Sequence, residues 1–106
     1  MPMYMWRGSY TAEGVKGLTR EGGSKRRSAV QQMVEQAGGK LHSFYFALGE
    51  TDVFGIAEFP DVPTALAVSA TVNASGMVRL SSTQLVSPEE FDAAAKKTIA
   101  YRPPGA

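Results

Sequence analysis

Hydrophobic and polar side chains alternate along four stretches of the chain, and this two-residue period predicts β-strands. The strands are expected at residues 3–10, 40–48, 53–59 and 77–86. A short polar segment, residues 49–52, separates the second strand from the third. The second and third strands are therefore predicted to form a hairpin.

Helical patterns occupy the segments between these strands. A weak, glycine-containing helix should begin after Thr11, a second after Ser24, a third after Asp61 and a fourth after Ser87. The second helix has an apolar stripe at i, i+3, i+4 and i+7: Val30, Met33, Val34 and Ala37. The fourth has a shorter stripe: Phe91, Ala94, Ala95 and Thr98. Ser87, followed by Pro88 and Glu90, has the pattern of a capping box.

The resulting order of elements predicts the fold class. Strand, helix, strand, strand, helix, strand is the βαββαβ order of a ferredoxin-like α+β domain, here with one extra helix. Such a domain is an antiparallel sheet with its helices on one face. We expect one domain over residues 1–106, with the first strand between the third and the fourth.

Composition narrows the classes of function. The formal net charge of +1 is too balanced for a nucleic-acid-binding surface. With no cysteine and a single histidine, disulfides are excluded, and neither a metal site nor a bound cofactor is expected. No apolar run reaches the roughly 18 residues of a membrane span. We expect a cytoplasmic protein without nucleic-acid or membrane partners.

The hairpin sorts its residues onto two faces. Pairing Leu48 with Val53 places an apolar set on the face expected under the helices: His42, Phe44, Phe46, Leu48, Val53, Gly55, Ala57 and Phe59. The opposite face is mixed: Ser43, Tyr45, Ala47, Phe54, Ile56 and Glu58. In the fourth strand Val78, Leu80 and Val86 should face the helices, which leaves Arg79, Ser81 and Thr83 on the mixed face.

The mixed face is too apolar to remain in water and too polar for an ordinary core. We therefore expect a homodimer, or a higher oligomer built from it, in which two such faces stack around a partly polar cavity.

Five residues are the candidates for binding a carboxylate in that cavity: Arg7, Ser43, Tyr45, Glu58 and Arg79. Arg7 would lie between Glu58 and Arg79 and leave the site net positive. The same charges would equally form an ion-pair network at the interface. If the first strand has the opposite phase, Trp6 lines the cavity in place of Arg7.

His42 is the one candidate base, because histidine is the side chain that normally titrates near neutrality. No serine or carboxylate has a spacing to it that indicates a triad, and a structural histidine is the alternative. The basic segment 22–27 could bind phosphate at a helix start or form a solvated hinge.

The chain resembles the GYD-domain family. The residues that carry the resemblance are Tyr4, Gly8-Ser9-Tyr10-Thr11, Gly38-Gly39-Lys40-Leu41, Phe44-Tyr45, Gly49 and Asp52. The motif that names the family, Gly-x-Tyr-Asp, reads Gly49-Glu50-Thr51-Asp52, with Thr51 in place of the tyrosine. The resemblance implies a dimeric α/β barrel and brings no established activity with it.

Two classes of function follow. The first is a binding module that holds a small carboxylate or aromatic molecule between the sheets. The second is a small enzyme, monooxygenase-like or isomerase-like, with Trp6, Tyr45 or His42 shaping the cavity.

Overall fold

A computed structural model describes the chain from Met1 to Ala106. Its elements are, in order, β1 (Met3–Tyr10), α1 (Ala12–Glu21), α2 (Gly23–Gln36), β2 (Lys40–Phe46), β3 (Val53–Glu58), α3 (Val62–Ala74), β4 (Val78–Leu85) and α4 (Pro88–Ala95). The strands form one antiparallel sheet in the order β2-β3-β1-β4. This confirms the ferredoxin-like α+β fold with β1 between β3 and β4.

The core lies between the sheet and the helices α2 and α3. Tyr4 and Trp6 of β1 are buried against Phe59, with ring centroids 6.1 and 5.8 Å from it. Val34 of α2 and Val68 of α3 belong to the same cluster. The aromatic side of β1 therefore faces the helices, which resolves the alternative phases of the first strand.

Side-chain caps begin three of the four helices as predicted. The Thr11 hydroxyl accepts a hydrogen bond from the Gly14 amide at 3.2 Å, and Asp61 Oδ1 accepts one from the Thr64 amide at 2.8 Å. Ser87 begins α4 with a complete capping box. The cap predicted at Ser24 is wrong: α2 begins two residues earlier, after Gly22, whose φ of 92° lies in the region that favours glycine.

Gly14 of α1 has a packing role that helix propensity does not indicate. A Cβ atom on Gly14 would lie only 1.9 Å from the carbonyl oxygen of Met77. The Thr11 amide also donates a hydrogen bond to that oxygen, at 3.0 Å. The start of α1 is therefore held directly against the residue that precedes β4.

The register of the hairpin differs by two residues from the prediction. Phe46 lies opposite Val53, whereas Leu48 was expected there, and Leu48 is fully exposed in the turn. A shift of two residues preserves the faces, so Phe44 still faces the helices and Tyr45 faces away from them. Nearer the start of β2 a bulge lies between Leu41 and Ser43 and reverses the phase of the strand there.

Residues 88–106, comprising α4 and the segment after it, form a C-terminal arm. None of the α4 side chains is buried, and Phe91, Ile99 and Tyr101 are 68–79 % exposed. The radius of gyration is 17.0 Å, compared with about 13 Å for a compact domain of this length. The stripe predicted on the fourth helix has no partner within the chain, and Val86, expected under the helices, is exposed.

Candidate functional site

The sheet surface opposite the helices, called here the open face, carries all five predicted ligand-binding residues. Strand alternation and burial assign to it Met3, Met5, Arg7, Ser9, Ser43, Tyr45, Phe54, Ile56, Glu58, Arg79, Ser81, Thr83 and Leu85. Trp6 lies on the other side of β1 and does not contribute to this face.

Much of the open face is apolar. Tyr45 is 70 % exposed, and Phe54 beside it is also exposed. Met3, Met5 and Ile56 are half-buried in the middle of the face. The isolated chain therefore presents a continuous apolar strip across three adjacent strands.

Two arginines share the open face without an acidic partner. Arg7 lies opposite Ser81, and Arg79 lies opposite Ser9, so the arginines are diagonal neighbours on β1 and β4. Such neighbours are about 7–8 Å apart. Neither forms an ion pair in the chain, so both guanidinium groups are available to a ligand.

Glu58 lies away from these arginines. It pairs with Met3, four residues from Arg7, which is roughly 13 Å along the strand. The predicted arrangement, with Arg7 between Glu58 and Arg79, is therefore wrong.

The partner of Glu58 is His42. The distance from His42 Nε2 to Glu58 Oε1 is 2.5 Å, and the side chains are 32 % and 25 % exposed. The expectation that His42 faces the helices is wrong, because the bulge between Leu41 and Ser43 turns its side chain toward Glu58 on the open face. The structure thus brings together a histidine and a carboxylate that sequence spacing did not associate.

A second candidate site lies on the other side of the sheet, where the sequence indicated only core. This helix-side cavity, between α2, α3 and the sheet, has a volume of about 140 Å³. Eleven of its thirteen lining residues are hydrophobic. Prominent among them are Trp6, Met33, Phe44 and Val72. Because the lining comes from six elements, no local sequence pattern reveals it.

Arg26 is the one charged residue of the cavity lining. Its buried Nε makes no hydrogen bond, although Glu21 Oε2 lies 3.3 Å away at ion-pair distance. Tyr10 lines the cavity as well, and burial raises the pKa of its hydroxyl. The nearby Arg26 charge lowers that pKa and the carboxylates of Asp52 and Glu21 raise it, so Tyr10 stays a neutral hydrogen-bonding group at neutral pH.

The segment that carries the family motif has a structural role. The Asp52 carboxylate accepts a hydrogen bond from the Tyr10 amide, and the Asp52 amide donates to the Gly8 carbonyl, both at 2.8 Å. The Ser9 hydroxyl donates to the carbonyl of Glu50, also at 2.8 Å. These bonds fasten the hairpin turn to the end of β1.

No group of three or more acidic or histidine side chains is arranged to hold a metal ion. None of the four helices combines the length and apolar character needed to cross a membrane.

Comparison with known proteins gives one match. No curated protein and no solved structure matches the chain. The family model of the GYD domain matches residues 4–95, from β1 to the end of α4. Since this match spans most of the 106 residues, the chain belongs to the GYD domain family.

Proposed function

We propose that this protein is a homodimeric binding module whose two open faces stack and enclose a site for a small molecule bearing a carboxylate. The observation that carries the proposal is the combination, on one sheet face, of an uncovered apolar strip and two arginines without acidic partners. The apolar strip and the two arginines would each be contacted by a different kind of molecule.

The apolar strip favours a second copy of the chain. Exposed contiguous apolar surface on a folded protein usually marks an interaction site. A twofold arrangement would let Tyr45 and Phe54 of each copy be covered by the same face of the other. Their burial supplies roughly 25 cal/mol for each Å² removed from water.

The arginines favour an anion between the two copies. Stacking would bring Arg7 and Arg79 of both chains toward one another, and two like charges about 8 Å apart repel by about 2 kcal/mol at an effective dielectric constant of about 20. A carboxylate offsets this repulsion and matches the planar fork of the guanidinium group. Ser43 and Tyr45 would add polar contacts.

Two glutamate substitutions, at sites of similar exposure, test the dimer. Tyr45→Glu introduces a charge on the open face, where Tyr45 is 70 % exposed, and Leu66→Glu introduces the same charge on α3, where Leu66 is 68 % exposed. In sedimentation velocity at micromolar concentration, wild type and Leu66→Glu should sediment as dimers and Tyr45→Glu as a monomer. A monomeric wild type, or equal dissociation of both variants, would contradict the proposed interface.

A thermal-shift screen with aliphatic and aromatic carboxylates tests the ligand. Arg7→Gln and Arg79→Gln should each abolish the stabilisation given by a hit, whereas Lys16→Gln on the exposed side of α1 should retain it. Hits that are insensitive to both arginine substitutions would place the ligand elsewhere.

The contact between His42 and Glu58 supports the second candidate, a small enzyme of the isomerase or monooxygenase type. Glu58 holds Nε2 and leaves Nδ1 as the ring nitrogen that a substrate could reach. A carboxylate that orients an imidazole is a recurrent arrangement in general-base catalysis.

Kinetics of the variants test this alternative. On a substrate that is turned over, Glu58→Gln should lower kcat more than it changes KM, and Arg79→Gln should chiefly raise KM. Equal turnover by His42→Gln and wild type would exclude this role.

A further inference from the structure

We propose that the helix-side cavity is a separate binding site for a single-ring aromatic acid, such as a benzoate or a phenylacetate. The site is complete within one chain. It therefore does not depend on the open face, on dimer formation or on the carboxylate site between the arginines.

The size of the cavity sets the size of the ligand. Its volume is about 140 Å³. An engineered apolar cavity of about 150 Å³ stays dry and binds benzene. The helix-side cavity therefore has room for one six-membered ring.

The lining determines the chemistry of the buried end. Trp6 and Phe44 are two of the aromatic side chains that line it from the sheet, and Val30, Met33 and Val72 line it from the helices. Aromatic rings gain from offset or edge contacts with other rings, and a thioether sulfur packs favourably at a ring edge. A polar or aliphatic sugar-like ligand would leave its hydroxyl groups without partners here.

Arg26 determines the chemistry of the other end. It is the one charged residue of the lining, and a ligand carboxylate would form charge-assisted hydrogen bonds with its guanidinium group. Its Nε lies 3.3 Å from Glu21 Oε2, so the ion pair uses that edge of the group, and the N–H donors of the two terminal nitrogens are left for the ligand. The neutral Tyr10 hydroxyl provides a further donor at the cavity wall.

Trp6 makes the proposal directly measurable. It is the only tryptophan of the chain, it is 6 % exposed, and it lines the cavity. Titration with benzoate or phenylacetate should give a saturable change in tryptophan emission. Toluene and benzyl alcohol, which carry the ring without the charge, should bind more weakly.

Substitution of Arg27 is the matched control for substitution of Arg26, because Arg27 is the next residue and does not line this cavity. Arg26→Gln should weaken binding of the acids by about tenfold, because the arginine side chain is 37 % exposed and water screens part of its charge. It should leave binding of toluene unchanged, and Arg27→Gln should leave all affinities unchanged.

Ala29→Phe, on the α2 side of the cavity, should abolish binding of both the acids and toluene by filling the space. Ala29→Leu serves the same purpose with less crowding if the phenylalanine variant does not give a cooperative melt. Absence of any saturable signal in the wild type at millimolar ligand, or undiminished binding by a folded filled variant, would overturn the site. Equal effects of Arg26→Gln and Arg27→Gln would overturn the role of Arg26.

The open-face variants separate this site from the proposed function. Arg7→Gln and Arg79→Gln should not change the Trp6 titration. Loss of the Trp6 signal in either variant would show that the ligand binds at the open face and would also overturn the helix-side site.

Discussion

The Asp52 carboxylate accepts a hydrogen bond from the backbone amide of Tyr10, with 2.8 Å between Oδ2 and N. The two residues are 42 positions apart, so this bond joins the hairpin turn to the end of β1. It also gives Asp52, the last residue of the family motif in this chain, a role that requires no ligand.

Asp52→Ala should lower the free energy of unfolding by about 1–3 kcal/mol, because it leaves the Tyr10 amide without its charged acceptor. Asp52→Asn keeps an acceptor oxygen and should cost less. Urea unfolding followed by circular dichroism measures both. Glu50→Ala, in the same turn, is the control and should change the free energy by less than about 0.5 kcal/mol. Equal effects of Asp52→Ala and Glu50→Ala would contradict the role of the bond.

Two glycines of α1 should respond oppositely to alanine. Gly14→Ala should destabilise the protein by about 1–3 kcal/mol, because its Cβ would overlap the Met77 carbonyl oxygen. Gly17→Ala meets no atom within 4 Å and should stabilise it by about 0.5–1 kcal/mol through helix propensity. Thermal melts of the two variants would show shifts of opposite sign. A stabilising Gly14→Ala would mean that α1 does not pack this closely against Met77.

Asp61 should make stability depend on pH in the acid range. The hydrogen bonds donated by Thr64 hold the pKa of Asp61 below its ordinary value of 3.8. A carboxyl group with a depressed pKa in the folded state contributes stability above its unfolded pKa and loses that contribution as pH falls through the folded pKa. The cap at the start of α3 should therefore weaken as the pH falls below about 4.

Asp61→Ser, which caps without titrating in this range, tests that expectation. In urea unfolding at pH 7 and at about pH 3, the wild type should lose more stability than Asp61→Ser. Identical losses would show that protonation of Asp61 has no part in the acid response.

Deletion of the C-terminal arm should leave the rest of the domain nearly as stable as before. No α4 side chain is buried, so loss of residues 88–106 should change the free energy of unfolding at low protein concentration by less than about 0.5 kcal/mol. Phe59→Ala is the positive control, since Phe59 is fully buried and its truncation should cost about 3–5 kcal/mol.

The concentration dependence of that result identifies what the arm contacts. A loss of stability that appears only at high protein concentration would indicate that Phe91, Ile99 and Tyr101 pack on a second copy of the chain. A large loss at every concentration would contradict the free position of the arm.

The helices and strands were predictable because their patterns are local. The stripe centred on Val34 and the alternation in β1 each record burial on one side of a single element. Caps such as Asp61 were equally readable, since the capping side chain and the amide it binds lie three residues apart.

The candidate sites were less predictable because they depend on relations between elements. The contact between His42 and Glu58 depends on one bulge, and the alternation of hydrophobicity in β2 does not indicate where a bulge lies. The helix-side cavity depends on how far α2 stands from the sheet, which no single segment encodes. The stripe around Phe91 indicated a packed helix, but none of its side chains is buried within the chain.

His42 is an inserted residue in an otherwise regular ladder. Leu41 lies opposite Ala57 and Ser43 lies opposite Ile56, so every pairing of β2 would persist if His42 were absent. Loss of a single codon would remove the imidazole and leave the faces of the sheet unchanged, and gain of a codon would restore it. The sheet therefore accommodates the imidazole beside Glu58 without depending on it for its strand pairing.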